Sequence, residues 1–310
     1  MNRADAAGTV ADPVGGAIGE RIATHDEPGL PGAVFTIGYG TNGFADHALD
    51  DAVLVLDRLG YRALALTLGH PHLDPFAADA DRAAARLRRR LDDLGWRVVV
   101  ETGARYTLDP FRKHRPNLLD EDASLREVFL RRAVDLAAVL DAECVSLWSG
   151  VLPDDVSPEQ GGERLRERLA GLAAHAAASG VDLALEPEPG MLIETGADAL
   201  RLRSELGDPP ALGLTVDLGH CVVVEPDGVV GALRAAGPLL RNVQVDDMLP
   251  GAHEHLELGH GVLDLAAALR TLDELDYDGI AAIELPRHAH DAPAVAGRCM
   301  TALHHAWEAR

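Results

Sequence analysis

The sequence has few cysteines, and none of them forms a motif. Cys144, Cys221 and Cys299 are widely spaced and give no CxxC pair. This spacing argues against a disulfide framework and a zinc ribbon, because both need cysteines at characteristic short intervals. Unpaired cysteines are typical of a reducing compartment, so we expect a cytoplasmic protein.

The sequence also lacks long hydrophobic runs and a leader segment. Although 47% of the residues are hydrophobic, no apolar stretch approaches the length that spans a membrane. Residues 1–30 are rich in Gly, Ala, Asp and Pro, with neither the basic start nor the apolar core of a signal peptide. We therefore expect no membrane partner, a disordered tail over 1–30 and one globular domain over 31–310.

Basic residues are scarce relative to acidic ones. The chain has 28 Lys and Arg against 50 Asp and Glu, which gives a net charge of -22. Affinity for nucleic acid depends mainly on cationic side chains that neutralise phosphates, so we expect no nucleic-acid partner. A small-molecule partner is the remaining expectation, and assembly into a homo-oligomer is left open.

Eight short apolar runs are present, and each is typical of a buried strand. The first four end in glycine, whereas the last four carry acidic or otherwise polar residues near their ends, so polar chemistry is concentrated in the second half of the chain. The runs cover residues 34–40, 62–69, 96–103, 144–150, 181–190, 212–220, 241–248 and 279–286.

Helical patterns alternate with these runs, at 47–59, 77–94, 123–140, 158–179, 196–205, 228–236, 262–275 and 292–308. Strict alternation favours parallel strands joined by crossover helices, and eight such units close a barrel of about 250 residues. An open doubly wound sheet is the alternative, but the segment GYGTNGF after the first strand does not fit the GxGxxG spacing. The predicted fold is α/β, a single (β/α)8 TIM barrel.

Polar side chains stand at the downstream ends of the last four strands. Glu186, Asp217, Gln244 and Glu284 occupy these ends, and His220 follows Asp217 by three residues. The carboxyl ends of parallel barrel strands converge on one face, so these side chains should share a pocket. Crowded carboxylates repel one another unless they are protonated or bridged by a cation. We therefore predict a divalent-cation site that includes the three carboxylates.

The motifs ALEPEPG, VDLGH, NVQVDD, HEHLELGHG and AIEL resemble those of the xylose isomerase-like superfamily of sugar phosphate isomerases and epimerases. The similarity spans essentially the whole chain after residue 33. It points to ketose 3-epimerases and, more distantly, to apurinic endonucleases.

In ketose 3-epimerases, a Glu, an Asp, a His and a Glu after strands five to eight hold one metal ion. The resemblance assigns these positions to Glu186, Asp217, Gln244 and Glu284. Gln244 departs from the usual histidine, and its amide oxygen suits a hard ion better than zinc. Mn2+ or Mg2+ is therefore the expected cofactor, with Co2+ or Zn2+ left open.

The resemblance implies a sugar or sugar phosphate isomerase or epimerase that acts on a small polyhydroxylated carbonyl substrate. Proton transfer through a metal-bound enediolate is the expected mechanism, with Glu186 and Glu284 as the implied acid–base pair. Three alternatives stay open: a metal-dependent dehydratase of the same fold, an endonuclease-like phosphoesterase, and a barrel that binds a metabolite without turnover.

Several histidines are candidates for substrate binding. His220 falls where the related enzymes have a histidine that contacts substrate. His253 and His255 either correspond to the Asp and His that bind a further zinc ion in apurinic endonucleases, or belong to a loop over the substrate with His255 as a hydroxyl contact. We favour the loop. His70, after the second strand, is a further predicted substrate contact.

Two more substrate contacts are predicted nearer the middle of the chain. Lys113 belongs to RKHRPNLLD, a dense basic cluster after the third strand. A phosphate or carboxylate substituent would suit this cluster, although a solvated loop or internal ion pairing accounts for it equally well. Trp148 ends the fourth strand and is expected either to stack on a sugar or to serve as a core aromatic.

Overall fold

The computed structural model describes residues 29–310. The tail predicted over 1–30 lies outside the described residues except for its last two positions, of which Leu30 is buried in the core.

The described chain contains ten strands, and eight of them close into a parallel barrel in the order β1-β10-β7-β6-β5-β4-β3-β2. This confirms the predicted (β/α)8 fold. Each barrel strand lies within a predicted apolar run, except that β7 begins one residue earlier. The strands are β1 (Thr36–Gly40), β2 (Ala63–Thr67), β3 (Arg97–Glu101), β4 (Cys144–Trp148), β5 (Asp182–Glu186), β6 (Leu212–Asp217), β7 (Leu240–Val245), β8 (Asp247–Leu249), β9 (Ala252–Leu256) and β10 (Ile280–Ile283).

Helices follow the barrel strands and cover the outside of the barrel. Their ends carry the expected signals: a Ser157–Gln160 capping box begins α4, and Gly95, with a left-handed φ of 67°, ends α2. The helices are α1 (Leu49–Arg58), α2 (Ala80–Leu94), α3 (Ser124–Leu140), α4 (Pro158–Ser179), α5 (Gly196–Glu205), α6 (Leu218–Val224), α7 (Gly228–Ala236), α8 (Leu265–Glu274) and α9 (Ala292–Ala309). In residues 29–310 no helix is both long and apolar enough to cross a membrane.

Two elements differ from the sequence prediction. The run predicted as a strand through 220 ends at Asp217, because this residue caps α6 and its carboxylate accepts the His220 amide at 2.7 Å. The segment predicted as a loop after the seventh strand instead contains the antiparallel hairpin β8–β9. Both elements lie at the carboxyl ends of the barrel strands.

Strand register brings the polar ends to a common level. Asp217 on β6 pairs with Gln244 on β7, and Trp148 on β4 pairs with Glu186 on β5. The amide of Glu284, directly after β10, donates to the Val245 carbonyl at 3.1 Å. Five neighbouring strands therefore present side chains from their carboxyl ends at one end of the barrel.

The barrel interior changes from small and apolar to polar toward this end. A cluster of small or branched side chains fills the lower part, and it includes Val99 and Cys144. Two residues further along β3 and β4, the buried side chains are Glu101 and Ser146. Burying polar groups is costly without partners, so their placement marks the floor of a site.

Candidate active site

The carboxyl ends of the strands surround a cavity of about 200 Å³. Its lining combines carboxylates, histidines and cationic side chains, a polar composition that suits a hydrophilic ligand. Of the residues predicted from the sequence, the lining includes Glu186, His220, Gln244, His255, Glu284, Lys113 and Trp148.

Asp217 and His220 are fixed by the start of α6. The His220 Nδ1 atom lies 3.2 Å from the Pro187 carbonyl and 3.5 Å from the Glu186 carboxylate. Both His220 and Asp217 are buried, and the second carboxylate oxygen of Asp217 has no hydrogen-bond partner. Glu186, Asp217 and His220 each offer one possible ligand atom, and these three atoms lie within 4.8 Å of one another.

Glu284 approaches Asp217 from the other side. Its carboxylate accepts a hydrogen bond of 2.8 Å from Asn42, which follows β1. Asp217, His255 and Glu284 form a second group whose ligand atoms lie within 4.8 Å of one another. Asp217 is common to both groups, and the structure thus brings together the three carboxylates predicted from the sequence.

The hairpin β8–β9 carries His253 and His255 over the strand ends. Asp246 anchors it: one carboxylate oxygen accepts the Gly219 amide at 3.0 Å, and the other contacts His255 Nδ1 at 2.5 Å. The Nε2 atoms of His253 and His220 are 3.0 Å apart. Two imidazole nitrogens at this distance share either a proton or a cation between them.

Burial dominates the electrostatics of the cavity. It raises the pKa of the Glu186 and Glu284 carboxyls, and the charge of neighbouring carboxylates adds to the effect. Burial also lowers the pKa of His220 to about 4. His255 behaves in the opposite way, because contact with Asp246 outweighs burial and raises its pKa to about 10.

These features fit a divalent cation. The free carboxylate oxygen of Asp217 and the amide oxygen of Gln244 are buried without hydrogen-bond partners. Unpaired buried oxygens are costly, and a hard cation satisfies them together with the crowded carboxylates. A third group, formed by His220, His253 and His255, could also hold an ion, again with separations within 4.8 Å.

The predicted substrate contacts meet different outcomes. Lys113 and Trp148 line the cavity, whereas His70 does not. His70 lies at a turn closed by the bridge between Gly69 and Leu73, which directs its exposed imidazole to Asp74 at 3.1 Å. The prediction of His70 as a substrate contact is therefore not supported by its position.

Trp148 has two roles in the structure. It lines the cavity, and the guanidinium carbon of Arg126 lies 4.6 Å from its ring centroid. His114 packs edge-on against the same ring with a centroid distance of 5.4 Å. Trp148 therefore also supports the loop that follows β3.

Some cavity residues were not among the predicted site residues. Glu101 ends β3 just as Glu186 ends β5, so the strand-end argument applied to the third run would have found it. Its carboxylate accepts from the Asn242 side chain at 3.0 Å, and burial raises its pKa to about 8. Arg105 and Arg287 also line the cavity, and their loop positions give no comparable signal.

The family profile described as Xylose isomerase-like TIM barrel matches residues 53–303. The chain belongs to this family. The family resemblance drawn from the motifs is thus confirmed.

Similar proteins of established name are isomerases and epimerases. The 2-oxo-tetronate isomerase of Cupriavidus necator is 26% identical over 242 residues, which cover 76% of this chain and 86% of that protein. The L-ribulose-5-phosphate 3-epimerase UlaE of Salmonella paratyphi A is 28% identical over 260 residues, with coverage of 81% and 89%. The enzyme class predicted from the sequence agrees with that of these relatives.

Solved structures share the xylose isomerase-like barrel. An L-ribulose 3-epimerase matches with a TM-score of 0.70 at 20% identity, covering 89% of this chain and 96% of that one. A D-psicose 3-epimerase solved in the presence of D-fructose matches with a TM-score of 0.66 at 19% identity, covering 87% and 97%. This likeness extends over nearly the whole described barrel.

Proposed function

We propose that this protein is a divalent-cation-dependent isomerase or epimerase of a small sugar-like carbonyl compound. Two observations carry the proposal. Glu186 and Glu284 line one cavity, and Asp217, which has an unpaired buried oxygen, shares a possible ligand group with each of them. The two relatives named for 2-oxo-tetronate and L-ribulose 5-phosphate support a small, highly oxygenated substrate.

Glu186, Asp217, Gln244 and Glu284 are the proposed ligands of the cation. Their oxygen atoms suit Mn2+ or Mg2+, while the neighbouring histidines leave Co2+ or Zn2+ as alternatives. When bound, a divalent cation supplies Lewis-acid polarisation of the substrate carbonyl and so acidifies the neighbouring C–H bond.

Glu186 and Glu284 are the proposed proton-transfer groups. They stand at the ends of β5 and β10, which are separated by β6 and β7 around the barrel, so they reach the substrate from different directions. The Asn42 amide and the His220 imidazole hold the two carboxyls in place. Burial raises the pKa of each carboxyl, which makes each carboxylate a stronger proton acceptor than an exposed glutamate.

Two histidines contribute to the proposed site in different protonation states, His255 as a cation and His220 as a neutral imidazole. His255, kept protonated by Asp246, can donate to a substrate oxygen on which negative charge develops. His220 has a pKa of about 4, so it stays neutral and orients the substrate or a carboxylate. The hairpin places both His253 and His255 in the lining of the cavity.

Isotope exchange tests this function. The metal-reconstituted protein, incubated in heavy water with a panel of ketoses and ketose phosphates, should introduce deuterium at the carbon next to the carbonyl. We expect Glu284→Gln to reduce this exchange by about 100-fold or more, because the amide keeps an oxygen but cannot accept the proton. Exhaustive chelation should abolish exchange, and Mn2+ or Mg2+ should restore it.

Glu163→Gln is the matched control. Glu163 is exposed on α4, so the same chemical change far from the cavity should leave exchange unchanged. Full exchange in Glu284→Gln, or exchange that survives chelation, would contradict the proposed function.

A second candidate function is phosphoester hydrolysis at more than one metal ion. The close approach of His220 and His253, with His255 beside them, favours it because it offers ligands for a second cation. The hydrolysis of bis(p-nitrophenyl) phosphate in the presence of zinc tests it. Turnover that disappears in His253→Ala while sugar exchange persists would support this function.

A further inference from the structure

One wall of the cavity carries positive charge in a strongly acidic protein. Arg105, Lys113 and Arg287 line the same cavity as Glu186 and Glu284. The chain has 28 basic residues against 50 acidic ones, and Lys113 is its only lysine. Three cations that line a single cavity are therefore a local reversal of the overall charge.

These charges are poorly neutralised by the described chain. Arg287 pairs with Glu254 at 2.6 Å, but neither Arg105 nor Lys113 makes an ion pair within residues 29–310. Burial lowers the pKa of Lys113, and the charges of Arg105 and Arg287 lower it further. An anion placed among them would relieve this repulsion.

The cavity carboxyl Glu188 does not neutralise these cations. Its carboxylate lies 3.9 Å from His253 Nε2, and in residues 29–310 it forms no ion pair with Arg105, Lys113 or Arg287. The cations therefore retain capacity for a negative group from outside the chain.

The loop that presents Arg105 and Lys113 is held rigidly. Arg126, only 2% exposed, donates to the carbonyls of Pro116, Thr102 and His114 at 2.9, 3.1 and 3.1 Å. A buried guanidinium devoted to loop carbonyls fixes the backbone from which both cations extend.

Backbone strain supports the same conclusion. Ala104 and His114, the neighbours of Arg105 and Lys113, have left-handed φ values of 52° and 63°. Non-glycine residues adopt this conformation only where the surroundings impose it, and such residues cluster at ligand sites. The loop is built to hold these two side chains in place.

We propose that Arg105, Lys113 and Arg287 bind an anionic substituent, a phosphate or a carboxylate, on the substrate of this cavity. The inference rests on the proposed function, since it assigns the carbonyl end of the substrate to the carboxylates and the charged end to the cationic wall. The substrate class is then an acidic sugar derivative rather than a neutral sugar.

Lysine acetylation tests the subsite without turnover, because Lys113 is the only side-chain amine in the chain. The metal-free protein is treated with an acetylating reagent, and modification of Lys113 is followed by mass spectrometry, with the α-amino group as internal reference. Glycerol 3-phosphate, glycerate and glycerol serve as probes with a common carbon skeleton. We expect at least one of the two anions at saturation to slow acetylation of Lys113 by about tenfold, and glycerol to have no effect.

The two anions distinguish the two sources of negative charge. Stronger protection by glycerol 3-phosphate indicates a phosphate subsite, and stronger protection by glycerate indicates a carboxylate subsite. Equal acetylation rates with all three probes would overturn the proposal.

Matched variants locate the effect. Arg105→Gln and Arg287→Gln should each raise the half-protective concentration of the effective anion by about tenfold, the scale of one charge-assisted hydrogen bond. Arg112→Gln is the control: Arg112 belongs to the same loop, but it pairs with Asp109 at 2.6 Å and lines a different cavity. An equal change in all three variants would show a general charge effect and refute the subsite.

Failure of this inference can be told apart from failure of the proposed function. Deuterium exchange into fructose, fructuronate and fructose 6-phosphate compares a neutral, a carboxylate and a phosphate end on one ketose. If deuterium exchange does not depend on the charged end and Lys113 is not protected, the proposed isomerase function stands and the anion subsite is refuted. If Lys113 is protected but no sugar exchanges deuterium, the anion subsite stands and the isomerase function is refuted.

Discussion

Replacing Glu101 by glutamine should stabilise the metal-free protein at alkaline pH. Glu101 is a buried carboxyl on the cavity floor, and its pKa is raised from 4.5 to about 8 by burial and by the charge of Glu284. Glutamine has the same shape and keeps an oxygen that accepts the hydrogen bond from Asn242. It carries no charge at any pH, so it removes only the cost of ionising the buried group.

The sign and size of the effect follow from proton linkage. The unfolded carboxyl loses its proton above pH 4.5, while the folded one keeps it to about pH 8. The contribution of Glu101 to the free energy of unfolding is therefore complete below pH 4.5 and is lost as the pH rises toward 8. Each pH unit in this window lowers the free energy of unfolding by about 1.4 kcal/mol, which gives about 5 kcal/mol over the whole window. Because Glu284 shares the same proton balance, we expect a gain of about 2–4 kcal/mol for Glu101→Gln at pH 8.

Thermal unfolding of the chelator-treated protein between pH 5 and pH 8 measures this gain. At about 2–4 °C per kcal/mol, the variant should melt about 4–16 °C above wild type at pH 8 and close to wild type at pH 5. Glu163→Gln, an exposed change of the same kind, should follow wild type throughout. Parallel pH profiles for Glu101→Gln and wild type would refute the assignment of Glu101 as a buried carboxyl that resists ionisation.

Three further changes test other parts of the structure. Gly219→Ala should cost about 1–3 kcal/mol in chemical denaturation, because the new methyl group would overlap the Asp246 carboxylate and lie 2.7 Å from Met248 Cγ; an unchanged midpoint would show that this contact is not rigid. Arg126→Met should destabilise the protein by about 3 kcal/mol and make the loop after β3 susceptible to limited proteolysis, since three carbonyls lose their donor; protease resistance equal to wild type would contradict this role. Gln244→His should strengthen zinc and cobalt binding relative to magnesium in calorimetry, and an unchanged selectivity order would exclude Gln244 as a ligand.

Much of the fold can be predicted from the sequence because it depends on local pattern. Apolar runs of strand length alternate with amphipathic segments, and this periodicity defines eight strands and the helices between them. The strand-end argument extends the prediction to Glu186, Asp217 and Glu284, since parallel strands in a closed barrel must all end at one face. The same argument, applied to the third strand, also leads to Glu101.

The remaining features depend on contacts between distant segments. His70 follows a strand end but turns to solvent, because the short bridge between Gly69 and Leu73 sets its direction. Lys113 and Arg287 line one cavity only because β3 and β10 belong to the same closed barrel, and no sequence pattern near either residue indicates the other. Periodicity and strand order thus determine which side chains reach the mouth of the barrel. Loop packing, which is set by long-range hydrogen bonds such as those of Arg126, decides which loop side chains line the cavity.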